Sequence, residues 1–307
     1  MPDAQERWRI DVHHHVLPPQ YVSSTPMPVR PPDVDTQLEI MQRLKIRVAL
    51  ISLTPRVLDA HADRLEEVAR TCNEFQAELV RDNPAHFGAF AVLPLPKIDA
   101  SLKEIAYSLD VLHLDGVGLF SSSQGQYLGD SRLDPVFDEL QRRKVAVLIH
   151  PAHCVSPEEW NLQIPDATLE YCFDTTRAIV NMLYSGTLKR CPDIQMILSH
   201  GGGTLPYLIT RVSMLARYKL PNLMETAKSL YFDVATTGAC ALRSLQELAD
   251  PTRILWGSDL PFVSPERLAE ELESWEAYDG LDEAGRDAVE HGNALRLFPR
   301  FAAVPSG

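Results

Sequence analysis

Five residues with the chemistry to hold a metal ion stand at equivalent places along the chain. His13 and His15 close the segment Ile10-Asp11-Val12-His13-His14-His15. His150 follows the run Val145–Ile149, His200 follows Met196–Ser199, and Asp259 follows Ile254–Ser258. Successive side chains on a strand point to opposite faces, so His13 and His15 are expected on one face with Asp11, and Val12 and His14 on the other. An i, i+2 pair of imidazoles can offer two nitrogen donors to one cation, and neutral imidazole suits zinc, iron, nickel and similar ions. The pair alone is weak evidence and reads more readily as two satisfied surface or core histidines. The three further polar residues, each just past an apolar run, make it a candidate centre.

Positioning five such residues around one cavity requires a fold that brings strand ends together. Eight short apolar runs recur: Trp8–His13, Arg47–Leu53, Phe87–Val92, Gly116–Phe120, Val145–Ile149, Ile194–Ser199, Leu230–Val234 and Arg253–Gly257. Amphipathic stretches separate them, such as Leu65, Val68, Ala69, Cys72, Phe75 and Leu79, and then Leu102, Ile105, Leu109 and Leu112, at helical spacing. Alternation of this kind is the signature of consecutive βαβ units. Eight units predict a single (β/α)8 TIM barrel across residues 1–307, whose strand ends all open onto one mouth. Leu281–Phe298, with Asp282 and Glu283 in its first turn and Arg296 in its last, suits the helix dipole and reads as the final barrel helix. Two connections, Val16–Asp35 and Pro151–Thr168, exceed what a scaffold needs and are read as walls or lids of the site. The first carries six prolines, which favours an extended path over a helix.

The chain of 307 residues is 45% hydrophobic and 23% charged, ordinary for a soluble globular protein. Its formal net charge of −13 argues against a nucleic-acid or anionic-membrane partner and favours a small molecule. No apolar run approaches the roughly 20 residues needed to span a bilayer, and the polar N-terminus has no signal-like segment, so a cytoplasmic location is expected. Five cysteines, widely spaced and without a Cys-x-x-Cys pair, indicate neither a disulfide framework nor a thiolate zinc site. Most are expected to be buried thiols.

Taken together, Asp11-x-His13-x-His15, His150-Pro151, Ser199-His200-Gly201-Gly202-Gly203 and Trp256-Gly257-Ser258-Asp259-x-Pro261-Phe262 resemble the amidohydrolase superfamily. The branch is the one containing aminocarboxymuconate-semialdehyde decarboxylase and aromatic-acid decarboxylases. Phe173-Asp174-Thr175-Thr176-Arg177 and Gly292-Asn293-Ala294-Leu295-Arg296-Leu297-Phe298 extend the resemblance over nearly the whole chain. The resemblance implies that His13, His15, His150 and Asp259 hold one divalent metal, most often zinc and sometimes manganese, with His200 beside it. Many relatives bind a second metal through a carbamylated lysine after strand four. Here Ser121-Ser122-Ser123 follow that strand, so a mononuclear centre is expected.

Three histidines and one aspartate leave room for water or substrate, as a catalytic metal site requires. The resemblance implies non-oxidative decarboxylation of a small phenolic or related unsaturated carboxylic acid, with Asp259 as acid-base and His200 orienting substrate. Hydrolysis of a lactone or amide by metal-activated water is the alternative, and a non-enzymatic metal-binding barrel a remote one. The semialdehyde decarboxylase has an arginine upstream of strand two for a second carboxylate, where this chain has Gln37 and Glu39, which disfavours a dicarboxylate. Arg56, just after strand two, could supply a similar charge. By the same resemblance Arg211 binds substrate in a neighbouring subunit's site, implying a homodimer; the residues alone read more readily as a surface helix arginine in Arg211-Val212-Ser213-Met214-Leu215.

Overall fold

The computed structural model describes residues 7–152 and 163–303. Eight parallel strands pair in sequence order: β1 (Arg9–His15), β2 (Ile46–Ser52), β3 (Phe87–Val92), β4 (Gly116–Phe120), β5 (Ala146–His150), β6 (Gln195–Leu198), β7 (Tyr231–Asp233) and β8 (Ile254–Leu255). All eight predicted runs are strands, with ends within two residues of expectation. Hydrogen bonds from Val12 N to Trp256 O (3.0 Å), Asp259 N to His13 O (2.8 Å) and His15 N to Leu260 O (2.7 Å) join the last strand and its following loop to the first. The result is the expected (β/α)8 barrel.

A principal helix follows each strand: α1 (Val34–Arg43), α2 (Leu65–Asp82), α3 (Ile98–Ala106), α4 (Asp134–Arg143), α5 (Glu170–Ser185), α6 (Leu205–Ala216), α7 (Ala239–Leu248) and α8 (Pro265–Glu276). Their starts follow capping chemistry. The Asp33 carboxylate accepts from Thr36 N before α1, and the Ser264 hydroxyl from Arg267 N before α8, where Pro265 loses nothing by lacking a donor. On α2, Val68, Ala69 and Cys72 are buried, as their spacing predicts.

The alternation of strand side chains sorts the core into two layers. Val48 and Leu50 of β2, Phe90 of β3, Leu148 of β5 and Ile197 of β6 pack together with Ile10 and Val12 inside the barrel. Their neighbours Ala49, Ile51, Val147 and Leu198 pack outward among the helices. Strand β1 breaks this rule. Its pairing with β2 is irregular between Asp11 and His14, and Val12 joins the interior layer although the next residue, His13, reaches the mouth. Asp11 therefore does not share the face of His13 and His15. Its Oδ2 accepts from His14 Nδ1 at 2.9 Å and from the Ser258 hydroxyl.

Leu281–Phe298 is not the eighth barrel helix, a place taken by α8. Asp282 caps it from outside, accepting from Gly285 N, and the segment runs Glu283–Asp287, a wider turn at Ala288–Gly292, then Asn293–Leu297. Ala294, Phe298 and Phe301 pack onto the interior layer, and Phe301 lies against Gly88 near the start of β3, so this segment closes the end of the barrel away from the site. The proline-rich stretch after β1 also differs from a purely extended path. Pro19–Val22 forms one helical turn, permitted because proline sits in its first turn, and Asp35 already belongs to α1. Of the second long connection, residues 153–162, with His153, Cys154, Trp160 and Leu162, lie outside the described residues. Among the described cysteines, all free thiols, Cys72 and Cys191 are buried, Cys172 is half-buried and Cys240 is exposed.

Candidate active site

The five predicted site residues of the barrel mouth arrive there from four strand ends. His13 and His15 come from β1, His150 is the last residue of β5, His200 follows β6, and Asp259 lies four residues past Leu255 of β8. Imidazole nitrogens of His13, His15 and His150 and a carboxylate oxygen of Asp259 all lie within 4.8 Å of one another. His13 Nε2 is 3.5 Å and His15 Nε2 3.3 Å from Asp259 Oδ1. The His13 ring makes edge contacts with His15 and His150, both at 5.1 Å between centroids, and His200 lies beside them at 4.9 Å from His13.

Hydrogen bonds on the far side of each ring fix which nitrogen faces inward. His13 Nδ1 donates to Asp233 Oδ2 at 2.9 Å, His15 Nδ1 to the Ser52 carbonyl at 3.3 Å, and His150 Nδ1 to the Pro151 carbonyl at 2.8 Å. Each Nε2 thereby faces inward, where it offers a lone pair whenever the ring is neutral. Those of His13 and His15 are fully buried and have no hydrogen-bond partner, their approach to Asp259 lacking hydrogen-bond geometry. Buried polar atoms are almost always satisfied, so two orphaned imidazole nitrogens aimed at a carboxylate fit a cation between them. Zinc, manganese and related ions match this donor set.

The electrostatics separate His13, which holds a proton at neutral pH until a cation displaces it, from the other three histidines. Burial lowers the basicity of His13, but Asp233, with Asp259 and Asp11, outweighs it and raises the pKa to about 9. Burial dominates at His15, His150 and His200 and shifts all three downward, leaving neutral rings able to act as ligands or acceptors. Burial pushes Asp259 up, yet the surrounding histidines hold it well below the usual carboxylate range, so it is an anion.

Two of these residues adopt left-handed backbone, His200 at φ 53° and Asp259 at φ 60°, a conformation that non-glycine residues reach at a cost of about 1–3 kcal/mol. Hydrogen bonds from His200 N to Asp233 Oδ1 (2.9 Å) and from Asp259 N to His13 O (2.8 Å) hold them there. The glycines after His200 permit a close approach. A Cβ on Gly203, at φ 65°, would stand 2.1 Å from the Cys172 carbonyl of α5.

Asp233 is the main residue that sequence reasoning passed over. Fully buried, it orients His13 and the His200 backbone at once. Its signal was available, since it ends the run Leu230-Tyr231-Phe232 as His150 ends its own. Aromatic side chains surround the centre: Phe262 lies 5.2 Å from His15, Tyr171 6.2 Å and Phe120 6.3 Å from His150. Arg56, half-buried after β2, hydrogen-bonds Tyr171. Gln37 does not face the mouth, because its Oε1 lies 2.9 Å from His14 Nε2 behind β1, and Glu39 is exposed. Arg211 is not part of this chain's own cluster and stands exposed on α6.

With this geometry in view, the comparisons with known proteins are specific. The amidohydrolase family model matches residues 10–300. Decarboxylase macB of Penicillium terrestre is 35% identical over 95% of both chains. The 6-methylsalicylic acid decarboxylase of Penicillium expansum is 33% identical over 96% of this chain and 98% of its own. The solved structure of a dihydroxybenzoic acid decarboxylase from Polaromonas, with bound manganese and the inhibitor 2-nitroresorcinol, superposes with a TM-score of 0.80 at 21% identity, covering 95% of this chain and 97% of the other. The chain belongs to the amidohydrolase family. Within that superfamily it is a carboxy-lyase. Among the described residues no helix is long and apolar enough to cross a membrane.

Proposed function

We propose that this enzyme removes carbon dioxide, without oxidation, from a small phenolic monocarboxylic acid of the salicylate type, using one divalent metal ion held by His13, His15, His150 and Asp259. Zinc is the first choice of ion and manganese the second. The observation that carries the reading is the convergence of these four ligand atoms within 4.8 Å, with two buried imidazole nitrogens unpartnered. The decarboxylase relatives support the reaction, and the Penicillium expansum relative's named substrate supports the salicylate class.

When bound, the ion would supply charge stabilisation to the substrate's carboxylate and neighbouring phenolic oxygen. Asp259, an anion at rest, accepts the proton that the phenolic hydroxyl gives up on binding. It returns that proton to the ring carbon bearing the carboxylate. The bond to the carboxylate then breaks, its electron pair restores the aromatic ring, and carbon dioxide leaves with a phenolate behind. This route needs no carboxylic acid protonated in advance, which the depressed Asp259 would not provide. His200 has its Nδ1 turned to the Ala235 carbonyl and the Thr236 hydroxyl, at 3.3 and 3.2 Å, which fixes the ring so that its other edge orients the substrate. Phe262, Tyr171 and Phe120 provide walls for the ring, and Arg56 draws in the anion.

The loop over residues 16–35 forms part of the wall. Leu17 and Tyr21 pack in one cluster with Leu53, Val57, Phe120 and Ala152 near the strand ends. A panel of hydroxybenzoates tests the reaction: those bearing a hydroxyl beside the carboxylate are expected to release carbon dioxide and the matching phenol in equal amounts. Turnover independent of that hydroxyl would contradict the proton route.

We also propose a homodimer in which Arg211 reaches the partner's site. Helix α6 and the residues just beyond it expose Tyr207, Met214, Leu215 and Tyr218 at 81, 61, 71 and 85%, an apolar surface that a second copy would cover. Inactive Asp259→Ala subunits mixed with inactive Arg211→Ala subunits are expected to recover activity, because a mixed dimer keeps one intact site. No recovery after exchange of subunits would count against a shared site.

A further inference from the structure

His13 and His15 are oriented by direct contacts, but His150 is held through a longer chain. Its Nδ1 donates to the Pro151 carbonyl at 2.8 Å, and that carbonyl belongs to the same peptide unit as the Ala152 N–H. The Ala152 N–H donates at 2.7 Å to the Ser121 hydroxyl, one residue past β4. The Ser121 hydroxyl in turn donates to Asp174 Oδ2, and the Tyr127 hydroxyl donates to Asp174 Oδ1. Ser121 also grips the strand end itself, its backbone N–H donating to the His150 carbonyl at 2.9 Å. Ser121 and Asp174 are fully buried.

We propose that Ser121 and Asp174 are positioning residues for His150, fixing the Pro151–Ala152 peptide so that its carbonyl holds Nδ1 and leaves Nε2 free toward His13, His15 and Asp259. The inference rests on reading that cluster as a metal centre. A hydroxyl has one proton and two lone pairs. Asp174 takes the Ser121 proton, so a Ser121 lone pair faces the Ala152 N–H. A carboxylate suits this place because both Ser121 and Tyr127 donate to it, one to each oxygen. Burial and Asp174 together push the Tyr127 phenol upward, so it stays a donor. Arg177 Nη1, 3.7 Å from Asp174 Oδ1, gives the carboxylate a cationic neighbour. An asparagine at 174 would offer one oxygen to two hydroxyls, and one of them would have to turn its lone pair inward instead.

Partners of metal-bound histidines typically change metal affinity about 10–100-fold when removed. The test is zinc affinity by chelator competition on the full-length protein, with Ser121→Ala and Asp174→Asn as variants. Both are expected to weaken zinc binding at least about 10-fold. In a His150→Ala background, Ser121→Ala is expected to cost nothing further, since the residue it orients is gone. Zinc affinity unchanged in Ser121→Ala would overturn the proposal alone. So would an equal loss in the His150→Ala background, which would show general loosening of the mouth. Should Asp174→Asn fail to fold, the Ser121→Ala cycle decides. An unaltered protein that binds no zinc would overturn this proposal together with the metal-centre reading beneath it.

Discussion

Replacing Asp259 with alanine is expected to lower the turnover number by at least about 10³-fold, within the range that a positioned acid-base group contributes, and to weaken metal binding as well. Both effects follow from one side chain. Its Oδ1 lies between the free nitrogens of His13 and His15, and its backbone is held in left-handed conformation by the His13 carbonyl. Asp259→Asn separates the two roles, because an amide oxygen can still face the ion but carries no proton at neutral pH. That variant is expected to retain metal while losing turnover to a similar extent. The measurement is metal content and initial rate on the same sample of each variant. More than a tenth of the original turnover in either, at full metal occupancy, would mean that the proton travels by another group.

The second large effect lies outside the site. Arg9, at the start of β1, donates through Nε and Nη2 to Glu290 Oε1 at 3.1 and 2.9 Å and through Nη1 to the Leu44 carbonyl at 3.2 Å. Trp275 Nε1 donates to the same glutamate oxygen at 2.9 Å. Arg9 is 3% exposed and Glu290 not at all, so this pair ties the first strand to the C-terminal segment without help from water. Arg9→Ala strands a buried carboxylate, and breaking a pair of this kind costs about 3–5 kcal/mol. The urea midpoint should fall accordingly. The double change Arg9→Met with Glu290→Gln removes both charges and leaves Trp275 an amide oxygen, and is expected to recover more than half of the loss. A loss under about 1 kcal/mol in Arg9→Ala, the scale of surface pairs, would show that water reaches Glu290.

Both effects bear on what could be read from residues alone. Strand order, barrel class and four converging candidate ligands were legible because each depends on local pattern: an apolar run, then a polar residue at its end. The face of Asp11 was not, since an irregularity in the pairing of β1 with β2 reverses the alternation and no residue type announces it. Asp233 carried the same strand-end signal as His150 yet was overlooked, because a carboxylate that supports a ligand looks like any other Asp after a strand. The Arg9–Glu290 pair and the Asp174–Ser121–Ala152 chain join residues 281 and 53 positions apart in their first links, distances over which spacing carries no information. The Phe-Asp-Thr-Thr-Arg segment stands out in the sequence, but its physical reason lies in contacts with distant segments, Cys172 against Gly203 and Asp174 with Ser121.

Metal dependence of decarboxylation is the claim on which the rest depends. It is tested most directly by stripping the purified protein with a chelator, reloading it with zinc or manganese, and following carbon dioxide release from a 2-hydroxybenzoate substrate at each metal-to-protein ratio. Release that is absent in the stripped protein and rises linearly to a plateau at one ion per chain is the expected result, matching the one four-residue cluster among the described residues. Full activity in a protein shown by elemental analysis to be metal-free would contradict it.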